Sequence, residues 1–353
     1  VARKVSVETV LEALGRINYP GYAADIVALG LVEEVAPRPD GSFSILVRRP
    51  SENDAVMRRL ADAIHRSLTH DLGVKDVELR VRRLEPELGE KTGRVRLEGT
   101  KYVVAVASGK GGVGKSTVAA NLACALAQRG LGVGLLDADI YGPSVPMMFG
   151  TGHERPKSAG GQNFYPIEKY GVKLISIGFF LGERAPVIWR GPMVMGAVRQ
   201  FLKDTLWGTQ DFLIVDLPPG TGDAQLTLAQ QVSLDGAVIV TTPQDVALLD
   251  ALRAVRMFRQ VHCPILGVIE NMSYFECPDC GEREELFGHG GGERMAVQEH
   301  LDLLARIPIH TEVRIAGDEG MPLVVANPNH PASLVFKQLA ERVVAAMPPH
   351  SSE

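Results

Sequence analysis

At 353 residues the chain is long enough for two domains of about 100–200 residues each, with material for a sizeable core. A net charge of -5 and a pI near 6.0 argue against a DNA-coating or lipid-surface role. No apolar run has the roughly 18–20 residues of a membrane span, and the front of the chain shows no signal-peptide succession, so a cytoplasmic protein with no nucleic-acid or membrane partner is expected.

In chain order, Val5, Val10, Leu11 and Leu14 recur at helical spacing up to Gly15, before the turn residues Asn18-Tyr19-Pro20-Gly21. Ile26 to Val32 leads to a strand, and Ser42 to Val47 makes a second one across the turn signal Pro39-Asp40-Gly41. Ala55 to Leu68 reads as an amphipathic helix and Val77 to Val81 alternates like a half-buried strand. The order helix, two strands, helix, strand predicts a small α+β domain over residues 1–82. This segment, best at Asp25-Ile26-Val27-Ala28-Leu29-Gly30, resembles the PaaD-like domain found at the front of many Mrp proteins and in other iron–sulfur assembly factors. Some relatives carry a functional cysteine that this segment lacks, which implies a docking or regulatory role. Residues 83–100 are charged and turn-rich and are read as a linker.

The strand Tyr102 to Ala107 then feeds Gly109-Lys110-Gly111-Gly112-Val113-Gly114-Lys115-Ser116, and a helix pattern runs from Ser116 to Gln128. Glycines let the backbone approach a polyphosphate, so that successive N–H groups and the positive end of the helix point at the anion. Lys115 is placed for the β/γ-phosphates and the Ser116 hydroxyl for Mg²⁺, with Thr117 the next residue of the set. The second lysine, Lys110, gives a K-G-G-x-G-K-S loop that resembles the deviant Walker A motif of the SIMIBI-type ATPases. That resemblance implies an ATP-dependent homodimer in which Lys110 crosses to the partner's ATP, a role that elsewhere supplies roughly 10³–10⁵ in rate.

Gly132 to Asp139 is a buried-type strand ending in two carboxylates, where a doubly wound sheet places its ligands. Asp137 and Asp139, with Ile140-Tyr141-Gly142-Pro143-Ser144, resemble the switch I segment of the Mrp/ApbC family. By that resemblance Asp139 orients the attacking water or holds Mg²⁺ through its shell; Asp137 is equally a cap or turn carboxylate. Gly150 to Tyr170 is expected to be a surface excursion, Leu174 to Phe180 a strand, and Trp189 to Met193 a packing segment. Asp211 to Asp216 is an apolar strand whose terminal Asp216 is a Walker B carboxylate for Mg²⁺, and Gly220-Thr221-Gly222-Asp223 is the expected switch II. Further strands are expected at Ala237 to Pro243, Pro264 to Asn271 and Leu303 to Ile309, with helices at Val246 to Val261 and Ala332 to Ala346. Strands alternating with helices predict an α/β P-loop NTPase over residues 101–346, with a mostly parallel sheet flanked by helices and a polar tail at 347–353. Related ATPases place an asparagine against adenine where Asn271 closes its strand.

Cys277-Pro278-Asp279-Cys280 has the spacing for two thiolates on one metal centre. A redox pair expects a different fold, and tetrahedral zinc wants four ligands, which His289 and Glu282 only partly supply. A [4Fe–4S] cluster also wants four, which two copies would provide across a two-fold axis. Asn271-Met272-Ser273, the cysteine pair and Phe287-Gly288-His289-Gly290-Gly291-Gly292 together resemble the Mrp/ApbC iron–sulfur cluster carriers. The resemblance implies an ATPase that binds a [4Fe–4S] cluster across a homodimer through Cys277 and Cys280, loaded by scaffold or donor proteins and passed to apo-protein clients. A ParA/MinD-like positioning ATPase and a metal-insertion ATPase or zinc metallochaperone are the alternatives. Cys124 and Cys263 read as small buried apolar residues.

Overall fold

Residues 5–17, 26–27, 32–49, 54–83, 94–160, 163–180, 191–277 and 280–348 are described by a computed structural model of the chain. The chain folds as two units, Val1–Glu90 and Lys91–Glu353. In the first, the Ser6 hydroxyl accepts the Thr9 N–H and starts the helix Val7–Leu14. The strands Val32–Pro37, Phe43–Arg49 and Val77–Arg83 form a sheet in that order, the first pair antiparallel and the second parallel. The parallel pair requires a crossover, which the helix Asp54–Arg66 and its π turn Ser67–Asp71 supply. Alternate residues Phe43, Ile45 and Val47 turn to one side and pack with Val10, Leu14, Leu60 and Ile64 into one core. Of the best-matching stretch, Asp25 and Ala28 to Gly30 lie outside the described residues, as does the turn Asn18 to Gly21.

The second unit is built on an eight-stranded sheet. Across it run Leu303–Arg306, Ile265–Glu270, Gly236–Thr241, Thr100–Ser108, Gln210–Asp216, Val133–Asp137, Val172–Ser176 and Ile167–Lys169. All neighbours are parallel except the last pair. The central strands are apolar at consecutive positions because both faces are covered. Val104 and Val106 pack with Leu122 and Leu126 of the helix Lys115–Gln128 and with Phe336 and Leu339 of the helix Pro331–Ala346. Val103, Ala105 and Ala107 turn the other way, toward Val255 and Phe258 of the helix Asp245–Gln260 and Leu202 of the helix Gly191–Asp204. Strand and helix alternate along the sequence, so the carboxyl ends of the parallel strands converge on one edge, where the loop Gly109–Gly114 lies.

Four expectations are corrected. Residues 94–99 are not linker: Val95 donates its N–H to the Gln231 carbonyl and accepts from Ser233, Leu97 is buried, and Arg94 donates to the Gln230 and Val261 carbonyls. Charge in this segment masked the alternate apolar residues Val95 and Leu97 that join the core. The expected excursion 150–170 includes the strand Ile167–Lys169, which pairs with Val172–Ser176 and buries Phe164 and Ile167. The strand expected to reach Phe180 stops at Ser176, whose hydroxyl accepts the Gly178 N–H and turns the chain into a 3₁₀ segment. Met347 is buried against the unit rather than trailing as tail, and the Tyr102 hydroxyl donates to the carbonyl of the exposed Pro348. Trp189 and Arg190 lie outside the described residues.

The sheet is short at both edges. At one, the Arg342 guanidinium donates to the carbonyls of Leu303 and Leu304 at 3.1 and 2.9 Å. At the other, the edge strand has three residues. No helix among the described residues is long and apolar enough to cross a membrane.

Candidate functional site

The phosphate loop is held by close approaches that only glycine permits. A Cβ on Gly109 would lie 2.1 Å from the Asp250 backbone, and one on Gly114 would lie 2.2 Å from the Asn271 amide nitrogen. Gly112 and Gly114 also have φ of +82° and +80°, in the left-handed region. Ser108 donates its hydroxyl to the Lys110 carbonyl, and Gly220 of the expected switch II donates its N–H to the Ser108 carbonyl. Gly114 caps the helix Lys115–Gln128 without a side chain to accept its first N–H groups, which leaves those donors and the helix dipole for an anion. Gly111 and Gly112 are exposed with open space around them, Val113 is buried, and Thr117 is half-buried in the first turn.

Lys115 is buried and donates to Asp216 Oδ1 at 2.5 Å and to Ser116 Oγ at 3.2 Å, with Asp139 Oδ2 at 3.9 Å. One ammonium thus meets two carboxylates, and a third, Asp137, lies at the end of the adjacent strand in register with Asp216. Asp137 accepts the Asp139 and Val145 N–H groups and the Ser176 hydroxyl. Burial, then the Asp216 charge, push its carboxyl up to about 7 against the pull of Lys115 and its hydrogen bonds. Burial raises Asp139 as well, with Lys115 opposing.

The donor set fits Mg²⁺. Asp216 Oδ2 is buried with no hydrogen-bond partner among the described residues, and the Ser116 hydroxyl and Asp139 carboxylate are the other oxygen ligands on hand. An excess of buried negative charge over the single Lys115 is what a divalent cation relieves. Lys110, half-buried at the mouth of the loop, makes no ion pair among the described residues.

Asn271 sits where its strand ends, but its side chain serves the loop: Nδ2 donates to the Val113 carbonyl at 2.8 Å and its N–H donates to Thr241. From there the chain turns through Met272, at φ +55°, into a two-residue antiparallel ribbon, Phe275–Glu276 with Arg283–Glu284. That ribbon carries the half-buried Cys277 and the exposed Cys280. Cys277 donates its N–H to the Glu282 carbonyl and accepts the Gly281 N–H, a tight turn that holds the chain ends of the pair together. Arg283 stacks over Tyr274 and donates to Glu276. Cys124 and Cys263 are buried, as small apolar residues would be. The loop residues, Lys115, Asp139, Asp216 and Asn271 therefore come together at one edge of the sheet, while the thiol pair stands on its own ribbon, joined to that edge by the segment after Asn271.

Two residues of this arrangement are not visible in the sequence patterns. Ser176 ties Asp137 from a strand 39 positions away in sequence. Glu270, fully buried, accepts the Ser273 hydroxyl at 2.5 Å and the Gly292 N–H at 2.6 Å. The pattern Gly290-Gly291-Gly292 is the trace it leaves, since a Cβ on Gly292 would lie 3.0 Å from Glu270 and one on Gly291 would lie 2.3 Å from the Pro243 carbonyl.

Comparison with known proteins places the chain in a family. The family model described as ParA, NUBPL iron-transfer P-loop NTPase, matches residues 99–344. An iron-sulfur cluster carrier protein of Haemophilus influenzae is 42% identical over 334 residues, which cover 95% of this chain and 90% of that protein. A nucleotide-binding protein of Archaeoglobus fulgidus, solved in complex with ADP, is 41% identical with a TM-score of 0.58, over 64% of this chain and 88% of that one. The cell division ATPase MinD of Pyrococcus furiosus shares the fold at 22% identity and a TM-score of 0.53, over 69% of this chain and 98% of its own. With its sheet, its glycine-crowded loop and a match over most of its length, the chain belongs to the NUBPL iron-transfer P-loop NTPase family.

Proposed function

We propose that this chain binds and hydrolyses ATP with Mg²⁺ and, as a cytoplasmic homodimer, carries a [4Fe–4S] cluster that it passes to apo-proteins. The observation that carries the reading is the pairing of a prebuilt phosphate loop with an exposed two-thiol ribbon six residues beyond Asn271, which grips that loop. Two thiolates are half of what the cluster needs, so a second copy completes the cage. The name of the Haemophilus relative supports the same cargo.

In this reading the backbone N–H groups of Gly111 to Ser116 hold the phosphates, and Lys115 turns from Asp216 to the β/γ-phosphate oxygens. Asp216, Ser116 and Asp139 hold Mg²⁺, which when bound neutralises charge on the phosphates. Asp139 orients the attacking water, and Lys110 reaches the partner's nucleotide to steady charge in the transition state. Cluster delivery is ligand exchange: each iron–thiolate bond to Cys277 or Cys280 is replaced by one to a client thiolate. The cluster moves intact with its electron count unchanged.

Anaerobic reconstitution with iron and sulfide tests the cargo. The wild-type chain is expected to gain a broad visible absorption with two thiols from each copy, and Cys277→Ala to lose it. Tightly held zinc and no such band in the wild-type chain would refute the reading.

A further inference from the structure

The buried carboxylate of Glu270 has no part in the chemistry above, yet it stands at the junction between the two functional halves. The next residue, Asn271, bonds the phosphate loop at the Val113 carbonyl, and its amide occupies the space that a side chain at Gly114 would fill. On its other side, Glu270 Oε1 accepts the Ser273 hydroxyl, Oε2 accepts the first-turn N–H of Gly292, and Arg306 Nε lies 3.9 Å from Oε1. Its carbonyl accepts the Ile307 N–H, Ser273 donates its N–H to the Ile307 carbonyl, and Ile309 donates to Tyr274. The start of the thiol ribbon is thus laced along residues 307–309, and Glu270 fastens both the lacing and the helix Gly291–Gln298. A fully buried carboxylate is costly to leave unpaired, so its bonds to Ser273 and Gly292 resist being broken one at a time. Beside it a cavity of about 310 Å³, bordered by Ser273, Tyr274, Arg283, His289 and Arg306, gives the ribbon space into which to shift.

We propose that Glu270 is the positioning residue through which nucleotide at the phosphate loop sets the exposure of the thiol pair. This rests on the carrier reading for its purpose, but not for its test. A nucleotide that rearranges the loop backbone at Val113 and Gly114 displaces Asn271; Glu270 passes the displacement to Ser273 and the ribbon because its two oxygens are committed to opposite sides of the joint.

The test measures iodoacetamide alkylation of Cys277 and Cys280 in the reduced full-length chain, mapped by mass spectrometry, with and without Mg²⁺ and a non-hydrolysable ATP analogue. Buried Cys124 and Cys263 report unfolding. In the wild-type chain the analogue is expected to change the rate at the pair by at least about five-fold. Glu270→Met keeps a side chain of similar length and removes both acceptor oxygens, the one for the Ser273 hydroxyl and the one for the Gly292 N–H. It is expected to cut that change to under about two-fold while analogue affinity and the analogue's effect on sedimentation stay as in wild type. Ser273→Ala, which removes only the Oε1 bond, gives a smaller loss of the same kind and serves if the first variant does not fold. An undiminished nucleotide effect in a folded variant, or no effect in the wild-type chain, overturns the role of Glu270. Iron and sulfide reconstitution of the same samples reports the carrier reading separately.

Discussion

The phosphate loop and the thiol ribbon lie on one unit and are built by opposite rules. Around the loop, Lys115 and Asp216 are buried and already paired, and two glycine positions admit no Cβ. The ribbon has two ladder residues on each side, its turn glycine Gly281 has nothing within 4 Å, and Cys280 is exposed. The difference teaches that the phosphate loop is preorganised in each chain, whereas the two-thiol ribbon is held by few contacts. In the proposed carrier the ribbon would gain its remaining ligands and its cover by association.

The sharpest way to break this contrast is to separate the two lysines. Lys110→Ala is expected to lower hydrolysis by about 10³-fold or more while sparing most nucleotide affinity, because in the proposed dimer it reaches the partner's nucleotide. Lys115→Ala is expected to weaken nucleotide affinity by about 100-fold, because it strips the phosphate ligand and leaves buried carboxylates unpaired. Titration with a fluorescent ATP analogue alongside phosphate release measures both, and equal hydrolysis in wild type and Lys110→Ala would remove the trans role. Next, Gly109→Ala should cost about 3 kcal/mol by driving a methyl into the Asp250 backbone. Gly281→Ala, strained only by its φ of +74°, should cost about 1 kcal/mol. Urea unfolding gives both, and similar costs would mean that the loop is no more tightly determined than the ribbon.

The smallest effect concerns His330, which caps the helix Pro331–Ala346 by accepting the Ala332 N–H and faces His310 and Glu312. Burial, then His310, lower its pKa below the ordinary 6.5, with Glu312 opposing. The unfolded chain then takes up this proton first as pH falls. The stability His330 contributes is complete above about 6.5 and drains away below that value. His330→Gln should flatten the slope of thermal midpoint against pH just below about 6.5; an unchanged slope would place the acid sensitivity elsewhere.

The parts of the site that are contiguous in sequence were readable from it. The glycine loop, the carboxylates at strand ends and the cysteine spacing are local patterns with local causes, and the alternation of strand and helix already implied the parallel sheet. What escaped depends on contacts between distant segments. Gly109 reads as loop freedom, but its tighter constraint is the Asp250 backbone of another helix. Asn271, expected beside adenine, spends an amide hydrogen on Val113. Glu270 looks like an ordinary acidic residue before a turn, and only the packing of Ser273, Gly292 and Arg306 around it reveals a buried fastening. Residues 94–99 were misjudged because two apolar side chains among charges give no periodicity to detect.

The short, guarded margins of the large sheet restrict how copies can meet. Arg342 occupies the carbonyls that an incoming strand would seek at one margin, and three antiparallel residues offer too little template at the other. Growth by adding strand to strand is disfavoured, as is the fibrous association it leads to. The dimer proposed here would therefore have to form through loops and helix surfaces, where a nucleotide wedged between copies could make or unmake it.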